Sequence, residues 1–337
     1  MTIYDIAKLA GVSTATVSRV VNGTGNVSER TRKRVLDVIQ QANYQPSAFA
    51  RAMGSKTMHT VGILCADIDH PFMSRAISLL QRPLHARGYD CILSCTGLEH
   101  DDKLEHVRRL LAKGVDALVF IGSKYEDSAS DEVEPDYIAE AAARVPIFIV
   151  NGHVPGDNVY CTYANDFEVT REVTARYLAQ GRKRVLFLSD SPTYCALRRL
   201  NGYKAALRDA GMAAEPRLEV FTRPDAHYAR DVLLERTNKG LEFDAVIATE
   251  DDLAIGAVKF AQRRGVSVPD DLAICGFNNT QLATCCVPEL TSVENRLADQ
   301  CGITVENLLM ALEGNADGIL HETQLPAQIV LRETTDF

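Results

Sequence analysis

The stretch VSTATVSRVVNG, residues 12–23, places Ala15, Ser18, Arg19 and Asn22 at i, i+3, i+4 and i+7, which aligns them on one side of a helix. Val17, Val20 and Val21 fall on the other side and need an apolar neighbour. A helix facing plain solvent normally shows Glu and Lys; this face is small, hydroxylic and amidic around a single guanidinium. Small side chains let a helix sink close to a groove floor. The fork of Arg19 matches O6 and N7 of guanine, and the Ala15 methyl matches the methyl of thymine. Thr16, Ser18 and Asn22 suit phosphate oxygens, which fix position without reading sequence. The chemistry on offer is recognition of double-stranded DNA.

Three helices must hold that face in place. Thr2 and Asp5 have the spacing of a capping box, and Ile6, Leu9 and Ala10 follow at helical period. Gly11 stops this helix, and Ser13 caps the next after a tight turn, the pattern of a helix-turn-helix. Ser28 caps a third, in which Val35, Val38 and Ile39 complete a small core. Arg30, Arg32, Lys33 and Arg34 then face solvent or phosphate. Pro46 ends this helix, and the segment 47–53 is long enough for two turns only before Gly54-Ser55. So short a helix needs a partner.

Charge supports the division. Residues 1–60 carry a net charge of +5, whereas the whole chain of 337 residues carries −9, leaving −14 on the remainder. A basic head on an acidic body suits a polyanion at one end only. Hydrophobic residues make up 46% of the chain, but the longest apolar runs are far too short to span a bilayer. The start Met1-Thr2-Ile3-Tyr4-Asp5 does not read as a secretion leader. Nine cysteines occur without a C-x-x-C pair. They read as buried free thiols of a cytoplasmic protein, the vicinal Cys285-Cys286 being the pair that could be redox-active. No P-loop, G-x-G-x-x-G, H-E-x-x-H or G-x-S-x-G motif is present, so no catalytic set, metal or cofactor is expected.

The head, TIYDIAKLAGVSTATVSRVVNG followed by VSERTRKRVLDVIQQANYQPSAFARAM, resembles without gaps that of the lac repressor (LacI/GalR) family of bacterial transcription regulators. The resemblance implies a homodimer whose recognition helices enter successive major grooves of a pseudo-palindromic operator. It further implies that paired hinge helices enter the central minor groove, each wedging an apolar side chain between bases. Met53 takes the place of the usual wedge leucine, and its alternative role is packing against Phe49. The DNA-contacting set read for the head is Thr2, Tyr4, Thr14, Ala15, Thr16, Ser18, Arg19, Asn22, Ser28, Thr31, Tyr44, Ser47, Ala50 and Met53.

From residue 60 short apolar runs alternate with amphipathic segments, the mark of parallel sheets in an α/β fold. Strands are expected at Val61–Ala66, Tyr89–Ser94, Ala117–Ile121, Ile147–Val150, Val185–Leu188, Leu218–Phe221, Ala245–Ala248 and Leu272–Gly276. The fold class is therefore an all-α head (1–57, hinge 47–53) on a two-lobed α/β body (58–337) like that of periplasmic binding proteins. The resemblance implies three chain crossings. With a break read at Pro155-Gly156-Asp157, these are expected near 158, 290 and 322, making lobe 1 residues 58–158 and 290–321 and lobe 2 residues 159–289 and 322–337.

A small-molecule effector, sugar-like by resemblance, would sit between the lobes. Its expected contacts are His70, Phe72, Ser123, Asn151, Asn165, Ser191, Arg199, Glu250 and Asn278. SPTYCALRRLNGY resembles the family's effector loop, in which the arginine three before the glycine, here Arg199, grips the ligand. Three positions depart from the family pattern. Asn278 replaces an Asp, Asn165-Asp166 reverses Asp-Asn, and Glu250-Asp251 replaces Asn-Asp. Asp accepts two hydroxyl bonds whereas Asn accepts one and donates one, so the ligand need not be a plain hexose; alternatively such residues, Asp251 above all, are helix caps. The other readings are a body that answers to a protein partner, as in the catabolite-control branch, and an enzyme on the same fold. The tail LRETTDF lacks a heptad repeat, which favours a dimer over a tetramer.

If Arg19 reads guanine, Arg19→Ala will relax discrimination at one base pair per half-site by about 1–3 kcal/mol. Equal losses on operator and random duplex in a binding titration would exclude direct reading. Lys33→Ala, in contrast, will weaken binding to all sequences and lower the salt slope by about 1 per monomer.

Overall fold

The computed structural model describes residues 1–21, 25–42, 57–123 and 136–337. The head consists of Ile3–Ala10 (α1), Thr14–Val21 (α2) and Glu29–Gln41 (α3). Each start is secured by a side chain that takes up an N–H which the helix cannot satisfy. Thr2 N donates to Asp5 Oδ2 at 2.7 Å, Thr16 N to Ser13 Oγ at 3.2 Å and Thr31 N to Ser28 Oγ at 3.4 Å. Gly11 ends α1 with φ at 61°, and its N–H returns to Lys8 O. A residue with a Cβ would meet a cost of roughly 1–2 kcal/mol there, so this glycine makes the turn between the two helices tight. Ile6, Ala10, Val17, Val20 and Val35 form the core, with the apolar side of α2 where its spacing predicts it.

The body holds two six-stranded sheets. The first contains β1 (Thr60–Cys65), β2 (Asp90–Cys95), β3 (Ala117–Ile121), β4 (Ile147–Val150), β5 (Val159–Ala164) and β11 (Glu322–Leu325). Their order is β11-β5-β4-β3-β1-β2, parallel throughout. The second contains β6 (Val185–Ser189), β7 (Glu219–Phe221), β8 (Ala245–Ala248), β9 (Ala273–Phe277), β10 (Thr291–Glu294) and β12 (Gln328–Val330). It is ordered β12-β10-β9-β8-β6-β7, parallel except for the antiparallel edge strand β12.

The expected crossings fall one strand short. Pro155-Gly156-Asp157 is a loop inside lobe 1 that joins β4 to its neighbour β5, so the chain crosses only after Ala164. Likewise β10 stays in lobe 2 and β11 in lobe 1, which moves the other crossings beyond Glu294 and Leu325. The eight expected strands are all present, but β5, β10, β11 and β12 carry Thr, Tyr, Gln and Glu among their apolar residues. Their mixed composition hides them from a search for aliphatic runs.

Helices cover both faces of each sheet, as parallel strands require. Lobe 1 uses Pro71–Ala86 (α4), His100–Ala112 (α5), Asp136–Ala142 (α6) and, after the second crossing, Leu297–Leu312 (α11). Leu80 and Leu84 of α4 share one core with Cys301 and Leu308 of α11. Lobe 2 uses Asp166–Ala179 (α7), Tyr194–Asp209 (α8), Ala226–Asn238 (α9) and Asp251–Arg264 (α10). Helices α7 and α8 touch backbone to backbone at Gly202, where an added Cβ would lie 2.2 Å from Phe167 O. Gly202→Ala should therefore push the two helices apart and lower the unfolding free energy by about 1–3 kcal/mol; a denaturation midpoint equal to that of the parent would show the contact to be slack.

Candidate functional site

Two polar surfaces stand out. On the head, Ala15 and Arg19 are exposed and Thr14, Thr16 and Ser18 half-buried beside them, with Val17 and Val20 turned inward. Thr2 and Ser28 are exposed, Thr31 is half-buried and Tyr4 is 74% exposed. Two of the expected DNA contacts also serve the fold: Thr16 Oγ1 lies 2.9 Å from Ser13 Oγ, and Thr31 Oγ1 lies 2.9 Å from Ser28 Oγ. Capping and DNA contact need not compete, because a hydroxyl can donate and accept at once. Asn22, Tyr44, Ser47, Ala50, Met53 and the hinge 47–53 lie outside the described residues, as does most of the acidic run 125–136.

The second surface is the seam between the lobes. There the ends of β1, β3 and β4 face those of β6, β8 and β9. His70 and Phe72 follow β1, Ser123 follows β3 and Asn151 follows β4; from lobe 2 come Ser191, Arg199, Glu250 and Asn278. These eight expected residues line one cavity, together with Met73, Gly122, Asp190, Thr193, Cys195, Ala196 and Thr249. Asn165 does not line it. It caps α7, accepting from Glu168 N at 3.4 Å, and its neighbour Asp166 turns inward instead.

Asp166 is where the cleft is anchored. Its Oδ1 lies 3.2 Å from Arg199 Nε, and the two residues are 1% and 2% exposed. Arg199 Nη1 donates to Thr249 O at 2.6 Å, and the guanidinium carbon sits 4.1 Å from the Phe277 ring centroid. Burial alone would lower the pKa of Arg199, but Asp166, with Cys195 and Glu250 adding to it, holds the guanidinium above its ordinary value. One charged side chain thus binds α7, α8, β8 and β9 at the rim of the cleft.

Across the floor, Asn278 Nδ2 donates to Glu250 Oε2 while Asn278 Oδ1 accepts from Asn295 Nδ2 at 3.0 Å. Both ends of this amide are in use. Positions 250 and 278, two of the expected departures, therefore meet in a single hydrogen bond that pairs a carboxylate with an amide. Asn278 also adopts φ 86°, a left-handed conformation that Asn tolerates better than most residues.

Asp251 differs from its expected role. It begins α10 but does not cap it; its carboxylate accepts from Thr280 N at 2.6 Å, Thr280 Oγ1 at 2.8 Å and Ser292 Oγ at 2.6 Å. It fastens the loop carrying Asn278 to β10. Burial raises its pKa to about 6 against the lowering effect of these bonds. His153, outside the cavity, stacks on Tyr194 of the other lobe at 5.4 Å and meets Glu322 Oε1 at 3.0 Å.

The lobes meet directly. Cys195 Sγ donates to Asn151 O at 3.3 Å, and His70 Nε2 lies 3.7 Å from Glu250 Oε2. The space they leave is about 40 Å³, room for little more than one water molecule. A ligand of sugar size enters this seam only as the lobes part. Asp166 and Thr249 are the residues the sequence reading missed: the reversed Asn165-Asp166 order was visible, but only the fold reveals which of the two faces Arg199.

Comparison with known proteins bears on both surfaces. Residues 2–47 match the family of bacterial regulatory proteins of the lacI type, and residues 174–335 match a periplasmic binding protein-like domain. An HTH-type transcriptional regulator of Lachnoclostridium phytofermentans is 40% identical over 337 residues, covering 100% of both chains. Catabolite control protein A of Priestia megaterium is 32% identical, covering 99% of each. Among solved structures, the lac repressor dimer bound to operator and the anti-inducer ONPF superposes with a TM-score of 0.85 at 23% identity, over 99% of this chain and 98% of that one. The transcriptional regulator CelR in complex with cellobiose gives 0.71 at 23% identity, over 99% and 100%. A recognition helix on a three-helix head, a two-lobed body and full-length likeness at 40% identity lead to one assignment: the chain belongs to the lacI family of bacterial regulatory proteins.

Proposed function

We propose that this transcription regulator is a repressor. It binds a pseudo-palindromic operator as a homodimer through residues 1–57 and responds to a small, hydroxyl-rich effector held between the lobes of residues 58–337. The observation that carries the reading is the convergence of polar side chains from six strand ends on one seam, in a chain whose head presents a helix-turn-helix. Pockets at the carboxyl ends of parallel strands are where α/β proteins hold ligands. The relatives support the ligand class, since the CelR structure holds cellobiose and a lacI-family regulator of Enterococcus faecium holds ribose. The protein works where the DNA is, in the cytoplasm, and the cleft binds without catalysis.

Regulation follows from linkage. Opening the seam breaks the bond from Cys195 to Asn151 and separates His70 from Glu250, so ligand binding and lobe closure are one equilibrium. An effector alters operator affinity only by the ratio of its affinities for the two lobe arrangements. Within the cleft, Arg199 is held rigid by Asp166 and aims its remaining N–H groups at the ligand, Phe72 gives an apolar wall, and Glu250 and Asn278 supply acceptor and donor. A second reading, a protein co-regulator in place of the small molecule, is favoured by the narrowness of the seam and the full-length likeness to catabolite control protein A.

Thermal unfolding of the full chain against sugars, sugar acids and sugar phosphates separates the two. A true effector at a hundred times its Kd will stabilise the protein by roughly 2.7 kcal/mol and will change operator affinity; no stabilisation by any member of the panel would sink the small-molecule reading. The pairing of 250 and 278 has its own test. Asn278→Asp will set a second carboxylate against Glu250 and cost about 1–3 kcal/mol in chemical denaturation, and adding Glu250→Asn will recover most of that loss. A double variant as weak as the single one would show that the two residues act independently.

A further inference from the structure

Cys65 and Cys95 end neighbouring strands of the lobe 1 sheet. They are directly opposed in the parallel register of β1 and β2, and their sulfurs are 3.8 Å apart. Neighbouring strands lie about 4.8 Å apart, inside the Cα separation of roughly 4.4–6.8 Å that a disulfide accepts. The two thiols differ sharply in access. Cys95 is exposed on β2, an edge strand, whereas Cys65 is 0% exposed beneath it. An accessible thiol in contact with a shielded one is the arrangement in which the first is oxidised and the second resolves it.

We propose that Cys95 and Cys65 form a peroxide-sensitive thiol pair. The Cys95 sulfur attacks the peroxide O–O bond, becoming a sulfenic acid as one water leaves. The Cys65 sulfur then attacks the Cys95 sulfur and expels the hydroxyl as a second water, taking the Cys65 proton with it. Two thiols and one hydrogen peroxide become one disulfide and two waters. Access assigns the first step to Cys95, because peroxide reaches the exposed sulfur and not the buried one; burial, and then the neighbouring Cys95, push the Cys65 thiol up.

The place of the pair gives the oxidation a consequence. Thr96 N donates to Cys65 O at 2.9 Å and Gly97 N to Ala66 O at 3.1 Å, so the segments leaving the two strands run side by side. The chain leaving Cys65 runs directly to His70 and Phe72 in the cleft. A covalent link at 65 and 95 clamps the root of that loop. The pair depends on the sheet register alone and stands whichever ligand the cleft takes.

The test is peptide mapping of the full-length protein after hydrogen peroxide treatment and alkylation without reductant. Tryptic peptide 57–75 contains only Cys65, and peptide 88–103 contains Cys91 and Cys95. The expected result is a cross-link between these peptides, with a mass equal to their sum less two hydrogens plus one alkyl group on Cys91, and abolished by dithiothreitol. Cys95→Ser, a surface change that leaves the core intact, should reduce the cross-link at least tenfold, while Cys91→Ser should leave it within twofold. A cross-link lost in Cys91→Ser and kept in Cys95→Ser would overturn the assignment. So would oxidation of Cys95 to sulfinic acid with no cross-link formed.

Discussion

The buried pair of Asp166 and Arg199 is the contact on which the rest of lobe 2 is arranged. A guanidinium with almost no solvent access is tolerable only beside an opposite charge, and this one has Asp166 at 3.2 Å and the carbonyl of Thr249 as a hydrogen-bond acceptor. To supply the carboxylate, the first turn of α7 must lie against α8. To allow that approach, position 202 must lack a side chain. Removing either charge would leave the other stranded, a loss of about 3–5 kcal/mol in comparable buried pairs. Stability and the shape of the cleft therefore share one interaction, since Arg199 both lines the cavity and ties the helices together.

The head answers a different constraint. Its core is small; Gly11 makes the turn between α1 and α2 tight, and the caps at Thr2-Asp5, Ser13 and Ser28 fix where the three helices begin. That economy frees the outer face of α2 for Ala15, Ser18 and Arg19. Apart from Arg19 that face carries only small side chains, which add little burial to the fold.

The parts that the sequence made legible are those where one physical rule acts alone. Helical spacing with valines on one side predicted α2 and its buried face, and aliphatic runs predicted eight of the twelve described strands. Eight of nine expected cleft residues meet because loops after parallel strands must converge at one end of a sheet. The failures arise where two rules compete. Tyr, Cys and Thr in β5 obscured a strand that is buried throughout, so a Pro-Gly-Asp loop looked like a lobe boundary. Asn165 and Asp166 are both plausible helix starters, and only the position of Arg199 separates the cap from the ion pair. Asp251 looked like a cap because it begins a helix; its partners Thr280 and Ser292 come from far along the chain, beyond any local pattern.

The bond between Asn278 and Glu250 also constrains history. If an ancestral cleft had the family's Asn at 250 and Asp at 278, two single changes separate it from this chain, and their order matters. Changing position 250 first would have passed through Glu facing Asp, two carboxylates in a half-buried seam. Changing position 278 first passes through Asn facing Asn, two amides that can still hydrogen-bond. The route that avoids opposed carboxylates therefore runs through an amide pair, the same pair that Glu250→Asn alone would create in the present chain.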